Sequence, residues 1–169
     1  KFNMLKPYIQ ISEAFRRKQD TLHFIKKAEK DTLAVYKYPE GTLVDLNEAD
    51  TTELKKIPGI GSGIARMIVA YRKRLGGFYD MAQLKEVNYV DEDMLRWFKL
   101  GNAPIHRINA NKAGLDKLRS HPYMNFYQAK VIIEYRRKKG KLKSLSQLSL
   151  YEEFTEKDLE RLSHYLAFD

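Results

Sequence analysis

The 169-residue chain contains no cysteine. That excludes disulfides and thiolate metal sites and leaves the compartment open. No apolar run approaches the roughly 18 residues needed to span a bilayer, and no signal peptide is present. The chain opens on Lys1 without a Met, as expected of a processed or trimmed fragment whose targeting segment is missing. It also lacks a metal-ligand set, a Ser-His-Asp spacing and a clustered carboxylate pair. The expectation is therefore a protein with no catalytic residues and no bound metal centre, not an enzyme.

Basic residues outnumber acidic ones, 31 to 22, for a net charge of +9 and a pI near 9.5. Such a chain prefers polyanions, meaning nucleic acid or an anionic membrane surface, unless the charge is merely solvated. A hydrophobic content of 43% with 11 Tyr and 8 Phe argues against wholesale disorder. The charge is uneven. Residues 104–169 carry 13 basic against 8 acidic side chains, whereas residues 44–103 are balanced at 9 each.

Glycine and proline are sparse, at 9 and 5, and they cluster most tightly within Leu54–Arg72. A short helix bearing Leu54 and Ile57 runs into Pro58-Gly59-Ile60-Gly61, which permits a tight turn. A second helix follows, with Ile64, Ala65, Ile68 and Tyr71 on one face. The turn leaves N–H groups of Gly59, Gly61, Ser62 and Gly63 uncovered at the positive end of that helix. This is a ready anion site, with phosphate the expected anion. Lys55, Lys56, Arg66 and Arg72 add charge. The stretch resembles the helix-hairpin-helix motif, matching it at Pro58, Gly59, Ile60, Gly61 and Ala65. The resemblance implies a grip on the DNA backbone without sequence reading. The alternative is a hairpin whose glycines serve only helix packing.

Shifting the sequence by 64 residues realigns it without a gap. Val44-Asp-Leu-Asn47-Glu-Ala49 returns as Ile108-Asn-Ala-Asn111-Lys-Ala113. Pro58 meets Pro122, Tyr71-Arg72 meets Tyr135-Arg136, Gln83-Leu84 meets Gln147-Leu148, and Leu95 meets Leu159. Each repeat reads as four short helices. In the first, Asp50 and Glu53 cap helix one, helix two spans about Ser62–Leu75, Asp80 and Gln83 cap helix three, and Asp91 opens helix four through Phe98. Ser144 with Gln147 and Thr155 take the corresponding roles in the second repeat.

This order of elements resembles the ComEA-like family of competence DNA-uptake receptors, over roughly Val44–Leu100 and more loosely Ile108–Phe168. The resemblance implies an all-α fold of tandem helix-hairpin-helix units in a SAM/RuvA-domain-2-like architecture. It implies units at 42–103 and, degenerate, 104–169. It further implies double-stranded DNA binding, a monovalent cation held by hairpin carbonyls around Ile57–Gly61, and an extracytoplasmic or membrane-tethered location through an absent anchor. The second hairpins, Val87–Asp91 and Tyr151–Phe154, carry no glycine and read as structural. In the second repeat's first hairpin, Tyr123 and Asn125 replace both glycines. That site binds DNA weakly, or packs against a neighbour. An exposed apolar patch at Tyr123, Met124 and Phe126 would favour an interaction scaffold, with a protein partner or self-association through the second repeat.

The run Arg136-Arg137-Lys138-Lys139-Gly-Lys141-Leu-Lys143, with Lys130, is the candidate secondary contact to the DNA backbone. Part of it complements the dipole of the helix it ends. Asp80 stands where some glycosylases place a catalytic Asp, but N-capping accounts for it. His121 lacks metal-ligand neighbours and reads as packed or solvated. Tyr71, Tyr135, Phe78, Trp97 and Phe98 read as core. Within residues 1–41, Met4–Tyr8 resembles the tail of an upstream repeat, Ser12–Lys30 reads as a basic amphipathic helix, and Leu33–Tyr38 as extended.

Overall fold

The computed structural model describes residues 36–169; the expectations for Met4–Tyr8 and Ser12–Lys30, and the start of Leu33–Tyr38, lie outside them. The first repeat comprises β1 (Val44–Asp45), α1 (Thr51–Leu54), α2 (Ser62–Leu75), a 3₁₀ segment Met81–Glu86, α3 (Glu92–Leu95) and β2 (Phe98–Lys99). The second comprises β3 (Ile108–Asn109), α4 (Leu115–Arg119), α5 (Phe126–Lys139), a 3₁₀ segment Leu145–Leu148, α6 (Glu156–Ser163) and β4 (Leu166–Ala167). Helices dominate, but the fold is not purely α: β1 pairs with β2 and β3 with β4, both parallel. The helix expected from Asp91 through Phe98 stops at Leu95, and Phe98 joins the small sheet.

Local chemistry sets these boundaries. Asp50 and Asp80 cap their helices with reciprocal boxes through Glu53 and Gln83, each such cap contributing about 1 kcal/mol. Asp80 accepts from the Ala82 N–H, the N-cap expected of it. Gly76 ends α2 in the left-handed conformation, at φ +92. A Cβ there would also collide with the His106 carbonyl.

The polar residues that recur between repeats form a hydrogen-bond frame. Asn47 exchanges two bonds with the Phe78 backbone, at 2.9 and 2.8 Å, and Asn111 does the same with Leu142 at 2.9 and 2.8 Å. Arg72 Nη1 donates to the carbonyls of Leu46 and Ala49 at 2.9 and 2.8 Å. Arg136 Nη1 donates likewise to Ala110 and Ala113, at 3.2 and 2.6 Å. The opening Asn-x-Ala and the Tyr-Arg signature are therefore the two halves of one brace across each repeat. Leaving such buried carbonyls unpaired costs about 1–3 kcal/mol each.

The gapless register ends at the last helix. Asp91 and Thr155 still correspond as N-caps. Beyond them α6 has 8 residues against 4 in α3. The Val44 N–H donates to the Trp97 carbonyl, while the Ile108 N–H donates to that of Tyr165. Tyr165 thus stands where Trp97 does, four residues later than the repeat spacing gives. Leu95 and Leu159 still lie equally far from their N-caps, each packed on its own core, and one extra helical turn follows.

Two apolar cores result, one per repeat, with Leu54, Ala65, Ile68 and Phe78 in the first and Leu118, Ala129, Ile132 and Leu142 in the second. Trp97 and Phe98 are buried, as expected, and Tyr71 and Tyr135 pack partly buried against the cores. Residues 37–169 form one compact unit, joined through a polar aromatic seam. Gln83 Nε2 donates to the hydroxyls of Tyr123 and Tyr165 at 2.8 and 2.9 Å, and the Tyr165 hydroxyl donates to the Gly77 carbonyl at 2.9 Å. Glu86 accepts from the hydroxyls of Tyr71 and Tyr123 and pairs with Arg161. Arg161 lies 4.7 Å over the Tyr123 ring, and Tyr79 stacks on His164 at 3.8 Å. Burial pushes the Tyr123 hydroxyl up to about 12, so it donates to Glu86 throughout the ordinary pH range.

Candidate nucleic-acid interface

Four helix-turn-helix corners recur, two in each repeat, each closed by the same backbone hydrogen bond across three residues. The turn is left-handed at Gly59 and Tyr89 in the first repeat and not at Tyr123 or Glu153 in the second. The N–H of Ile60 donates to the Ile57 carbonyl, Val90 to Val87, Met124 to His121 and Phe154 to Tyr151, at 3.1 to 3.2 Å. The next residue in each case is the N-cap of the following helix: Gly61, Asp91, Asn125 and Thr155. Asp91 accepts from Met94 N–H, Asn125 from Gln128 N–H and Thr155 from Asp158 N–H. Gly61 offers no side chain, and α2 begins with no side-chain cap. Three corners are thus sealed by their own side chains, and one is open.

The open corner is rigid underneath. Leu54, Ile57 and Ile60 are almost wholly buried, which fixes the turn and leaves Ile60 only its backbone to offer. Gly59 sits at φ +83 with Met94 Cε 3.0 Å from where a Cβ would lie, so the turn favours glycine there, although Tyr89 takes φ +66 at the same place in the next corner. Gly61 and Gly63 differ. Neither has positive φ, both are exposed, and a Cβ at either would meet nothing within 4 Å. Neither a clash nor a left-handed backbone calls for glycine at these two positions; Gly63 lies inside α2, where glycine costs about 0.5–1 kcal/mol relative to alanine, and Gly61 is the N-cap. Their effect is to bare the N–H groups at the start of a 14-residue helix, where the dipole favours an anion. Ser62 and Arg66 are exposed beside them, and Arg66 Nε folds back onto the Ser62 carbonyl at 3.1 Å. Lys55 and Lys56 are half-buried on the approach, with Lys56 Nζ 5.6 Å from the Tyr38 ring centre.

Other sequence-predicted residues are drawn into the fold. Arg72 is the brace described above, and its burial lowers the guanidinium's affinity for its proton without discharging it. Arg136 is its counterpart. Lys130 and Lys138 face Glu134 at 3.9 and 3.5 Å, and Lys139 lies over the rings of Tyr135 and Tyr151. Arg137, Lys141 and Lys143 remain exposed cations. An open depression of about 410 Å³ lies against Asn47, Arg72 and Gly76, and one of about 470 Å³ against Asn111, Arg136 and Gly140. Their recurrence reflects the shared brace.

At the degenerate corner, Tyr123 packs across the seam onto the first repeat, and Met124 is buried. Of Tyr123, Met124 and Phe126, whose exposure would have favoured a scaffold, only Phe126 is exposed, at 44%, with Tyr127 exposed beside it. His121 is 2% exposed and neutral: Nδ1 accepts from the Tyr123 N–H at 3.2 Å, and Nε2 donates to the Leu75 carbonyl at 3.0 Å. Burial lowers its pKa to about 4.

The hairpin's carbonyl side departs from expectation most clearly. Lys37 Nζ donates to the carbonyls of Lys55, Ile57 and Ile60 at 2.6, 3.0 and 3.4 Å. These carbonyls make a cation site, as the resemblance implied, but the chain's own ammonium fills it. A sodium or potassium ion does not fit there alongside it. No motif marked Lys37; it lies 18 residues before the hairpin it serves. Gln83, Glu86 and Tyr165 were likewise missed as partners across the seam. Among the described residues there is no group of three or more His, Asp or Glu able to hold a metal, and no helix long and apolar enough to cross a membrane.

The chain is 27% identical over 154 residues to the mouse endonuclease/exonuclease/phosphatase family domain-containing protein 1, covering 72% of this chain and 27% of that protein. The rat protein of that name matches equally, and the Xenopus laevis protein is 25% identical over 146 residues, covering 72% and 26%. The chain spans about a quarter of the length of these curated relatives. No solved structure matches it. The helix-hairpin-helix motif matches twice, over residues 40–97 and 104–167, in register with the two repeats whose braces and corners are described above; the chain belongs to the helix-hairpin-helix motif family.

Proposed function

We propose that residues 37–169 bind double-stranded DNA without reading its sequence, taking one backbone phosphate on the bared N–H groups at the start of α2. The observation that supports this most is the contrast among the four corners. Three close their helix with a side chain, and the fourth keeps two glycines that neither a clash nor a left-handed backbone calls for. Lys55, Lys56 and Arg66 would flank that phosphate, and Arg137, Lys141 and Lys143 would supply a weaker, more distant attraction. The second repeat serves mainly as a buttress, since its own corner is capped and turned into the seam.

The module binds and positions; it carries out no chemistry itself. The name of its relatives favours a role in DNA handling, presenting DNA to a domain of the endonuclease/exonuclease/phosphatase family. The narrower reading as a competence-type uptake receptor rests on the order of sequence motifs alone.

Gly61→Asp tests the proposal cleanly. Aspartate caps helices at least as well as glycine, and the site has room for it, so stability should hold. Its carboxylate would occupy the anion site. In fluorescence anisotropy on random-sequence duplex DNA, the intact chain should lose affinity steeply between ~50 and ~200 mM salt, and the variant should bind at least about tenfold more weakly. Equal binding by both would refute the phosphate site.

A further inference from the structure

We infer that Lys37 is a tethered replacement for a soluble monovalent cation, making the geometry of the DNA-binding hairpin independent of the ions around it. Three carbonyls of one turn, from Lys55, Ile57 and Ile60, point at one ammonium. Convergent carbonyls repel one another unless a cation lies between them, and an ammonium satisfies them with its three N–H donors. The contact is held in place by its neighbour: the Tyr38 N–H donates to the Lys56 carbonyl at 2.8 Å. Residues 37 and 38 therefore take up the carbonyls of Lys55, Lys56, Ile57 and Ile60, passing over those of Pro58 and Gly59 between them. The Ile57 carbonyl also accepts the Ile60 N–H that closes the turn, so the ammonium bears directly on the bend that presents Gly61.

A free ion would be exchanged with the solvent and would bind according to its size and concentration. A side chain 18 residues away in the same chain acts at an effective concentration fixed by the fold. Hairpin order should then be the same in sodium, potassium or a bulky organic cation. Replacing Lys37 by a neutral side chain should expose the carbonyl site and confer a dependence the native chain lacks.

The test compares the intact chain with Lys37→Met, and with Lys37→Gln as a second neutral variant, in potassium, sodium and choline chloride at equal ionic strength. Thermal unfolding without DNA is the first readout. The intact Tm should agree among the three salts within about 1 °C. The variants should melt about 3–6 °C lower in choline and recover at least half of that in potassium or sodium. Anisotropy on duplex DNA is the second readout, and it rests on the DNA-binding reading. Variant affinity should fall about tenfold in choline and return within about threefold in potassium or sodium. If the variants show no salt-identity dependence in Tm, or if the intact chain is itself ion-dependent, the inference is overturned. If the Tm pattern appears but neither protein binds DNA, the inference stands and the DNA-binding reading fails.

Discussion

Acid should loosen the joint between the repeats before it unfolds either core, and His121 sets the scale. Its ring is 2% exposed and bonded through both nitrogens in the neutral form. Folding lowers its pKa from the ordinary 6.5 to about 4, chiefly through burial, with Arg74 and Lys117 adding repulsion to the charged form. The folded-state value is depressed, so the unfolded chain takes up this proton first. The stability tied to neutral His121 is complete above the unfolded pKa and is lost as the pH falls from 6.5 towards 4. The loss should amount to about 2 kcal/mol between pH ~7.5 and ~5. With a urea slope of about 1.5 kcal/mol/M, the unfolding midpoint would fall by about 1.3 M. His121→Ile puts at this corner the residue that Ile57 provides in the first repeat. The variant starts less stable, having lost two hydrogen bonds, but every other acid group is unchanged. Subtracting its urea-midpoint profile from that of the intact chain therefore isolates the histidine. A difference that grows by about 2 kcal/mol across this range supports the reasoning; parallel profiles would refute the neutral, buried assignment.

The glycines should separate under mutation. Gly63→Ala should stabilise the fold by about 0.5 kcal/mol, whereas Gly59→Ala should cost more than about 1 kcal/mol through its left-handed backbone and the Met94 contact; urea unfolding checks both. Arg72→Ala should remove about 2–3 kcal/mol of stability because the Leu46 and Ala49 carbonyls lose their donor. If it weakened DNA binding without altering unfolding, the brace would be the wrong account. Tyr89 holds φ +66 in an exposed turn, so Tyr89→Gly should gain about 0.5 kcal/mol by thermal unfolding, the relieved strain slightly outweighing the added chain entropy.

Much of this architecture was legible because it depends on near neighbours. Caps such as Asp50 with Glu53 and Asp80 with Gln83 act over three residues, and the bounds of α2 follow from Gly61 and Gly76 on either side. The repeat could be read down to single residues, except that spacing alone hid the extra turn in α6. Its insertion falls inside a helix whose N-cap, Thr155, keeps the expected register. The strand pairing at Phe98 was illegible for a related reason. Two-residue strands leave no periodicity to read, and only their partners at Val44 and Asp45 define them.

The site divides along the same line. By itself the sequence determined the open hairpin at Pro58–Gly63, since absent side chains are visible in the sequence and their consequence for the backbone is local. It could not determine which cations serve it. Arg72 and Arg136 look like surface charges but turn inward onto carbonyls 23 and 26 residues earlier. Tyr123 looks like a ruined phosphate site, yet it is bonded to Gln83, 40 residues before it. Lys37 carries no signature at all, and only the folded chain brings its ammonium to the hairpin carbonyls. Backbone conformation is governed by residues a few positions apart, but a long charged side chain goes wherever the assembled fold leaves acceptors unpaired. That choice belongs to the tertiary structure.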